Sequence, residues 1–538
     1  MCRRFGCWCT RYTHINIRSL PHTGPIARAC DVYMRTESGM VCGARYWAEN
    51  GVVYASFRGV PYARQPLGPL RFKELQPLEP WGGVYSAITE GPVCPQKDVH
   101  FGPLMQPQGM SEACIHVNVY VPEDNLPEVT DTPTTGLPII VFIHGGTFQS
   151  GSGDSDIYGP EYLVSKNSDE GNILITFNYR LNVFGFLSLN TPEVPGNQGI
   201  RDCVSLLQWV QRNALFFGGN PNDVTLIGQN SGATIAHLLS LSPAAEGLFH
   251  RLWLMSGSAV PNYSPSPKYA QYVAEKLTSA LGITTSDPSQ IHRQLVSMPL
   301  DKIMKAYYPI QDETGFQTFG PVIETSFPGV TRILDGDPGK LIRSGRGKNY
   351  PIIIGFNTAE FYSLQRNIVK TGVLDKIEEN PAILLNANLT FSLPNDKIAR
   401  VGSKIKQKYF SDGVSLDKYL NYLSDFNVVY PAIKLAQWMT DQGAKLVFLY
   451  QFSYEAEHSA IKEGLGMQYS GTGQFEDMSF VFRINSAVGD HRSLPPTNKD
   501  DSMKAWMLKF VSNFVRCSEG CYVPDPFPRE LYCFRDKL

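Results

Sequence analysis

One stretch, residues 223–239, constrains the fold more than any other. It reads Asp-Val-Thr-Leu-Ile-Gly-Gln-Asn-Ser-Gly-Ala-Thr-Ile-Ala-His-Leu-Leu, which is an apolar strand, a corner and a helical pattern. Gly228 and Gly232 flank the corner, and the absence of a Cβ lets strand and helix approach closely there. Such a corner is typical of a nucleophile elbow, where the central side chain of Gly-x-Ser-x-Gly stands at the end of a sheet. Here the central residue is Asn230.

The apex of such a corner usually has a positive φ angle, which asparagine tolerates better than most residues. We therefore expect Asn230 to keep the backbone geometry of an elbow. The substitution removes the hydroxyl, however, and a carboxamide is not one of the side chains that act as nucleophiles near neutral pH.

Apolar strands alternate with helical segments along the chain. We predict strands at 52–62, 115–122, 137–144, 172–178, 223–229, 251–256, 350–355 and 446–453, and helices at 202–216, 269–281, much of 375–440, and 501–515. This alternation predicts an α/β fold with one large, mostly parallel central sheet and helices on both faces. We expect one domain over residues 38–520, an N-terminal tail of unknown status at 1–37 and a C-terminal tail at 521–538.

The composition is that of an ordinary globular protein. Of 538 residues 43% are hydrophobic and 18% charged, and the formal net charge is −2. Without a basic excess we expect no nucleic-acid partner. No apolar run is long enough to span a bilayer, so we expect no membrane span. The first residues lack the apolar core of a signal peptide.

The 11 cysteines are an odd number, so at least one is unpaired if all pairing is within the chain. A bridge between Cys94 and Cys114 would close a 19-residue loop and stabilise the fold by about 3 kcal/mol, and the alternative is two reduced thiols. The remaining early cysteines have no Cys or His partners at metal-site spacing. We expect neither a metal nor a cofactor.

Several ordered motifs accompany the elbow, among them Phe57-Arg-Gly-Val-Pro-Tyr-Ala63, His144-Gly-Gly146, Asn197-Gln-Gly-Ile-Arg-Asp202 and Phe217-Gly-Gly-Asn-Pro221. With these, residues 40–520 resemble the type-B carboxylesterase/cholinesterase family of α/β-hydrolases. With Gln229 before the apex, the elbow resembles in particular that of insect juvenile-hormone and odorant esterases. The resemblance implies the α/β-hydrolase fold and a disulfide between Cys94 and Cys114. It also implies two structural ion pairs, Arg71 with Glu112 and Arg180 with Asp202.

The resemblance also assigns the three positions of the family's catalytic triad, in the chain order nucleophile, acid, base. The nucleophile position is Asn230, the acid position Glu360, and the base position Gln474 in Gly471-Thr-Gly-Gln474. A serine needs a base that accepts a proton near pH 7, which histidine does and a glutamine amide does not. We therefore predict that the triad positions are inactive in serine-esterase chemistry.

The backbone donors of the family's oxyanion hole fall on Gly146, Thr147 and Ser231. A threonine at a position that is usually glycine adds a β-branched side chain where a substrate carbonyl would approach. Backbone donors survive a change of side chain, so we expect a hole that is present but narrower.

Two substitutes for the missing groups remain open. Ser231 could act as nucleophile, although it lies one residue past the apex and should point away from the site. His458 or His491 could replace the imidazole, although both lie outside the matching segment. A third hypothesis is structural: Glu360 accepts from the Gln474 amide, and Gln474 exchanges a hydrogen bond with Asn230.

Two classes of function follow. The first is a non-catalytic family member that binds a small apolar ester-like ligand or a protein partner. The alternative is a weak or unconventional carboxylic ester hydrolase. Sequons at Asn262 and Asn388 permit glycosylation, and the resemblance implies a secreted protein. The sequence leaves the oligomeric state open.

Overall fold

The computed structural model describes residues 30–48, 51–98, 100–129, 136–165, 171–260, 267–314, 318–489 and 497–516. Eleven strands lie in these ranges: β1 (Val32–Thr36), β2 (Gly39–Trp47), β3 (Val53–Pro61), β4 (Val84–Ser86), β5 (His116–Pro122), β6 (Leu137–Ile143), β7 (Ile173–Phe177), β8 (Gly219–Gln229), β9 (Arg251–Met255), β10 (Ile352–Asn357) and β11 (Val447–Phe452).

Sixteen helices lie in the same ranges. They are α1 (Asn182–Phe186), α2 (Gln198–Asn213), α3 (Ser231–Leu241), α4 (Pro267–Ala280), α5 (Pro288–Ser297), α6 (Leu300–Thr314), α7 (Pro338–Arg343), α8 (Gln365–Lys370), α9 (Val373–Glu379), α10 (Ala387–Ser392), α11 (Asn395–Tyr409), α12 (Leu416–Ser424), α13 (Tyr430–Asp441), α14 (Ala460–Leu465), α15 (Asn485–Gly489) and α16 (Asn498–Val515). In the described part of the chain, no helix has the length and apolar character needed to cross a bilayer.

All the strands join one sheet in the order β1-β2-β3-β5-β7-β6-β8-β9-β10-β11, and β4 pairs with β2. The half from β7 to β11 is parallel, and the pairs from β1 to β7 along this order are antiparallel. The predicted α/β fold with a large, mostly parallel sheet is therefore confirmed. The carboxyl ends of β6, β8, β9 and β10 meet at one edge, which is where ligands bind in open α/β sheets.

Strand β6 shows that both faces of the sheet are covered. All seven of its residues are buried. Ile139, Val141 and Ile143 pack in one apolar core, while Ile140 and Phe142 pack in a second. Because neighbouring strand residues point to opposite faces, the two cores lie on the two sides of the sheet. A near-continuous apolar run is the sequence signature of such a strand.

The amino-terminal edge begins earlier than the boundary at residue 38 that the sequence suggested. Val32–Thr36 forms β1 and pairs antiparallel with β2. Its residues alternate between buried and exposed, as expected for an edge strand with one face on the core. A disulfide between Cys30 and Cys42 ties this edge to the next strand.

The predicted disulfide between Cys94 and Cys114 is formed, with a Cα–Cα distance of 5.0 Å. Cys203 is free and buried in α2. The bridge holds the loop that precedes β5 against the carboxyl edge of the sheet. There the carbonyl oxygen of Pro95 accepts a hydrogen bond from Nδ2 of Asn182 at 2.6 Å.

Two buried ion pairs fix the segments around that edge. Asp202 accepts from the backbone N–H of Arg180 at 3.0 Å and from its Nε and Nη2 at 2.8 and 2.6 Å. Glu112 accepts from Nε and Nη2 of Arg71 at 2.7 and 2.5 Å. Both pairs are bidentate, the geometry that gives charge-assisted hydrogen bonds their direction.

Candidate functional site

The predicted elbow is present at the carboxyl end of β8. The strand ends at Gln229 and helix α3 begins at Ser231, so Asn230 alone makes the corner. Its backbone angles are φ 54° and ψ −118°, and the positive φ expected at the apex is confirmed. A Cβ on Gly228 would collide with the backbone of Gly232, and one on Gly232 would collide with the end of β6. The two glycines are therefore required by close approach of backbone segments.

Asn230 is fixed by its neighbours on both sides. Its backbone N–H donates to the carbonyl oxygen of Met255 at the end of β9, at 2.9 Å. Its side-chain Oδ1 accepts from the backbone N–H of Thr147 at 3.1 Å, and its Nδ2 donates to Oε1 of Gln474 at 3.3 Å. With only 4% of its surface exposed, the carboxamide is held in one orientation by a donor and an acceptor.

Glu360 lies just past the end of β10, in a short 3₁₀ turn from Glu360 to Leu364. It is fully buried, and its Oε1 accepts from the backbone N–H of Asn357 and from Oγ of Ser256, both at 2.7 Å. Burial raises the pKa of Glu360 to about 8, against the lowering effect of those two hydrogen bonds. The carboxyl group is therefore predominantly protonated at pH 7.

A backbone hydrogen bond holds Gln474 beside Glu360: the N–H of Gln474 donates to the carbonyl oxygen of Glu360 at 3.2 Å. Of the side-chain network expected from the sequence, the hydrogen bond between Asn230 and Gln474 is present. Gln474 accepts from Asn230, but Oε2 of Glu360 and Nε2 of Gln474 have no hydrogen-bond partner among the described residues. The Gln474 amide lies close enough to lower the pKa of Glu360, against the larger raising effect of burial.

Thr147 has a backbone conformation that β-branched residues rarely adopt, with φ 55°, and Phe148 follows at φ 66°. The Thr147 hydroxyl donates to the carbonyl oxygen of Gly146 at 2.8 Å and lies 3.1 Å from Nε2 of His100. Burial lowers the pKa of His100 to about 4, although the charge of Asp98 opposes this.

Sequence reasoning missed His100 because no motif surrounds it. It lies 47 residues from Thr147 along the chain, and a lone histidine in a loop usually indicates nothing. The only available signal was its position inside the loop that Cys94 and Cys114 close. Neutral imidazole held against the Thr147 hydroxyl helps to fix the strained backbone beside Asn230.

Neither Ser231 nor His458, two of the substitutes considered from the sequence, lines the cavity beside the apex. Ser231 is buried in the first turn of α3 and does not line the cavity described below. His458 is half-buried, with Nδ1 at 3.3 Å from Oε1 of Glu463 in α14, and it does not line that cavity either. His491 lies outside the described residues.

A cavity of about 460 Å³ opens beside the apex. Its most buried polar members are Asn230 and Thr147, and its exposed members are charged or polar. Most of the other lining residues are apolar. The full lining is Thr147, Asn230, Asp312, Glu313, Thr314, Phe361, Leu364, Ile368, Thr371, Val373, Lys376, Ile383, Leu384, Leu385, Asn386, Ala387, Tyr419, Leu423, Phe426 and Asn427. A concave, mostly apolar site of this size suits a small organic ligand.

The described residues contain no group of three His, Cys, Asp or Glu side chains arranged to hold a metal ion. Of the two sequons, Asn262 lies outside the described residues, and the side chain of Asn388 in α10 is likewise not described. Glycosylation at either asparagine therefore stays a prediction.

Comparison with known proteins agrees with this geometry. The profile of the carboxylesterase family matches residues 31–528. The chain is 46% identical to the juvenile hormone esterase of Heliothis virescens over 91% of this chain and 86% of the relative. It is 32% identical to esterase FE4 of Myzus persicae over 93% of this chain and 86% of that one.

A solved structure also matches, that of the juvenile hormone esterase of Manduca sexta with OTFP covalently attached. The TM-score is 0.86 and the sequence identity 50%, over 90% of each chain. The family match covers the sheet, the elbow and both sides of the cavity. The chain belongs to the carboxylesterase family.

Proposed function

We propose that this chain binds a small apolar ligand of the ester class in the cavity beside Asn230, and that it does not catalyse serine-type ester hydrolysis. The observation that carries the proposal is the position of the Asn230 carboxamide, whose Oδ1 accepts from the Thr147 N–H at 3.1 Å. In the family this N–H stabilises the negative oxygen of a tetrahedral intermediate. Here a side chain of the protein itself uses it.

Proton chemistry supports the same conclusion. Asn230 has no hydroxyl to deprotonate, and Gln474 cannot accept a proton near neutral pH. In subtilisin, loss of the serine or of the histidine alone costs about 10⁶ in kcat, because the triad works as a unit. Loss of both groups here should cost little more than loss of one.

One observation favours the alternative of an unconventional hydrolase, the contact of the Thr147 hydroxyl with Nε2 of His100 at 3.1 Å. A hydroxyl beside an imidazole is the start of a nucleophile–base pair. Two features count against it. The hydroxyl already donates to the Gly146 carbonyl at 2.8 Å, and a pKa of about 4 makes His100 a poor base at pH 7. We therefore favour the binding function.

Two relatives supply the ligand class, because both are named juvenile hormone esterases. We propose that the cavity takes a molecule of the class that these relatives act on, without cleaving it. Both disulfides, Cys30–Cys42 and Cys94–Cys114, favour an oxidising compartment, so we also propose that the protein acts outside the cell.

An assay with p-nitrophenyl acetate and a binding titration with a long-chain methyl ester test the proposal together. We expect saturable binding of the methyl ester and no p-nitrophenol release above that of the heat-denatured protein. Turnover would contradict the proposal. If turnover occurred, its loss in Ser231→Ala or in Thr147→Val would identify the hydroxyl responsible.

A further inference from the structure

Three charged residues line the exposed end of the cavity, and they differ in whether they have an ion-pair partner. Asp312, Glu313 and Lys376 all line it and all are exposed. Asp312 is paired with Nζ of Lys97 and Glu313 with Nζ of Lys276, each at 2.5 Å. The two acidic groups of the rim are therefore already neutralised by lysines that lie outside the lining.

Lys376 is the third charged residue of the rim, and it is not part of an ion pair with a described residue. It lies in α9, and no carboxylate oxygen of a described residue comes within 4.0 Å of its Nζ. Glu378, on the same helix, is paired with Lys406 at 2.5 Å instead. Once each acidic group of the lining is counted with its lysine partner, Lys376 is the one charged lining residue that is not neutralised in this way.

The buried end of the cavity disfavours an anion. Asn230 presents a carboxamide whose Oδ1 already accepts from Thr147, so that backbone N–H is not available to a ligand. Behind it lie the buried carboxyl groups of Glu360 and Asp477. No cationic side chain lines this end. An anion placed here would lose its hydration, which costs several kcal/mol, and would find no cationic side chain to offset that cost.

The wall between the two ends is apolar. Phe361, Leu364 and Ile368 line the cavity and are buried, and Leu423 and Phe426 line it as well. A chain of methylene groups along this wall gains about 0.8 kcal/mol for each group removed from water. A ligand with an apolar chain and one anionic end therefore fits in a single orientation, with the chain toward Asn230.

We propose that the preferred ligand is an amphipathic carboxylate, the free acid of the ester class, with its carboxylate at Lys376 and its apolar chain directed toward Asn230. This inference rests on the proposed function and refines it. It reverses the orientation of an ester being cleaved, whose carbonyl must reach the apex. The acid binds more tightly than the corresponding alcohol, ester or amine.

Titration calorimetry on the full chain at pH 8 and low salt tests this with dodecanoate, dodecanol, methyl dodecanoate and dodecylamine, all below their aggregation concentrations. An exposed ion pair at the upper end of the usual range corresponds to about a fivefold gain in affinity. We expect dodecanoate to bind about fivefold more tightly than dodecanol, and added salt to reduce the difference.

Three variants assign the effect to one side chain. Lys376→Gln should weaken dodecanoate binding about fivefold and leave dodecanol binding within twofold. Lys376→Arg should keep the preference for the acid. Lys370→Gln, at an exposed lysine of α8 that does not line the cavity, is the matched control and should change neither ligand.

Equal affinity for acid and alcohol would overturn the inference, as would tighter binding of the amine, an unchanged preference in Lys376→Gln, or no saturable binding of any probe. Cleavage of methyl dodecanoate during the titration is a separate outcome. It would contradict the proposed function, while the comparison of acid with alcohol would still decide the charge preference.

Discussion

Oδ1 of Asn230 lies 3.1 Å from the backbone nitrogen of Thr147, within hydrogen-bond distance. A carboxamide at the apex of the elbow therefore contacts the very group that the family uses for a developing negative charge. The same side chain donates through Nδ2 to Gln474, the residue to which the family resemblance assigns the base position.

Restoring both groups should restore chemistry. In the double variant Asn230→Ser, Gln474→His, the Thr147 N–H is freed and an imidazole stands between position 230 and Glu360. We expect esterase activity on p-nitrophenyl acetate to rise by about 10³-fold or more over the wild type. Initial rates at pH 8 provide the measurement.

The single variants serve as controls for this gain. Because the triad works as a unit, Asn230→Ser alone and Gln474→His alone should each stay within about tenfold of the wild type. A single variant as active as the double one would show that the second position does not act as a base.

The free energy of unfolding should depend on pH because of the raised pKa of Glu360. Its pKa is about 8 in the folded protein against 4.5 for the exposed group, so the folded state holds a proton that the unfolded state has lost between these pH values. Folding stability contributed by this group is fully present below about pH 4.5 and is lost as the pH rises toward 8. Urea unfolding midpoints at pH 5, 6, 7 and 8 measure the trend.

Glu360→Gln should flatten that trend, because the amide keeps a neutral group that can accept from Asn357 and Ser256. We expect the variant to lose less stability than the wild type on going from pH 5 to pH 8, by about 1.4 kcal/mol per pH unit at most. Glu378→Gln, at an exposed ion pair, is the matched control. Identical slopes in wild type and Glu360→Gln would mean that Glu360 titrates normally.

Asp202 should be far less tolerant of change than a surface carboxylate. It accepts three hydrogen bonds from Arg180, and both residues are buried. Asp202→Asn leaves the guanidinium without its counter-charge and should lower the free energy of unfolding by about 3–5 kcal/mol. Asp412→Asn, which disturbs the exposed pair with Lys418, should leave thermal unfolding unchanged.

The disulfide between Cys94 and Cys114 should stabilise the fold by constraining the unfolded chain. Replacing both cysteines with alanine should lower the free energy of unfolding by about 3 kcal/mol, the value for a loop of this length. The loop also carries Lys97 and His100, so ligand binding should weaken at the same time. Unchanged urea midpoints would show that the loop is held by its other contacts.

Most of the fold could be predicted because local signals agreed with it. The apolar runs of β6, β7 and β8 and the glycine corner are short-range patterns, and their bounds differ from the prediction by few residues. Helix α2 begins at Gln198, four residues before the predicted start, because Arg201 and Asp202 are polar and yet buried. A periodicity of apolar residues cannot reveal polar side chains that face the core.

The sequence could predict which residues belong to the candidate site, but not how their side chains contact one another. The family resemblance placed Asn230, Glu360 and Gln474, but their hydrogen bonds depend on side-chain geometry that a sequence does not contain. The missing bond between Glu360 and Gln474 and the contact between Thr147 and His100 are of this kind. Each concerns two residues that are far apart in the chain, and no periodicity or composition of the sequence indicates whether two such side chains will contact each other.

Covalent labelling tests the central claim most directly, because a fluorophosphonate reports an activated hydroxyl without requiring turnover. The wild type and the double variant Asn230→Ser, Gln474→His are each incubated with a fluorophosphonate probe, and the adducts are located by peptide mass spectrometry. We predict no adduct on the wild type and one at position 230 of the double variant. A stoichiometric adduct on the wild type, at Ser231, Thr147 or any other residue of the cavity, would contradict the account.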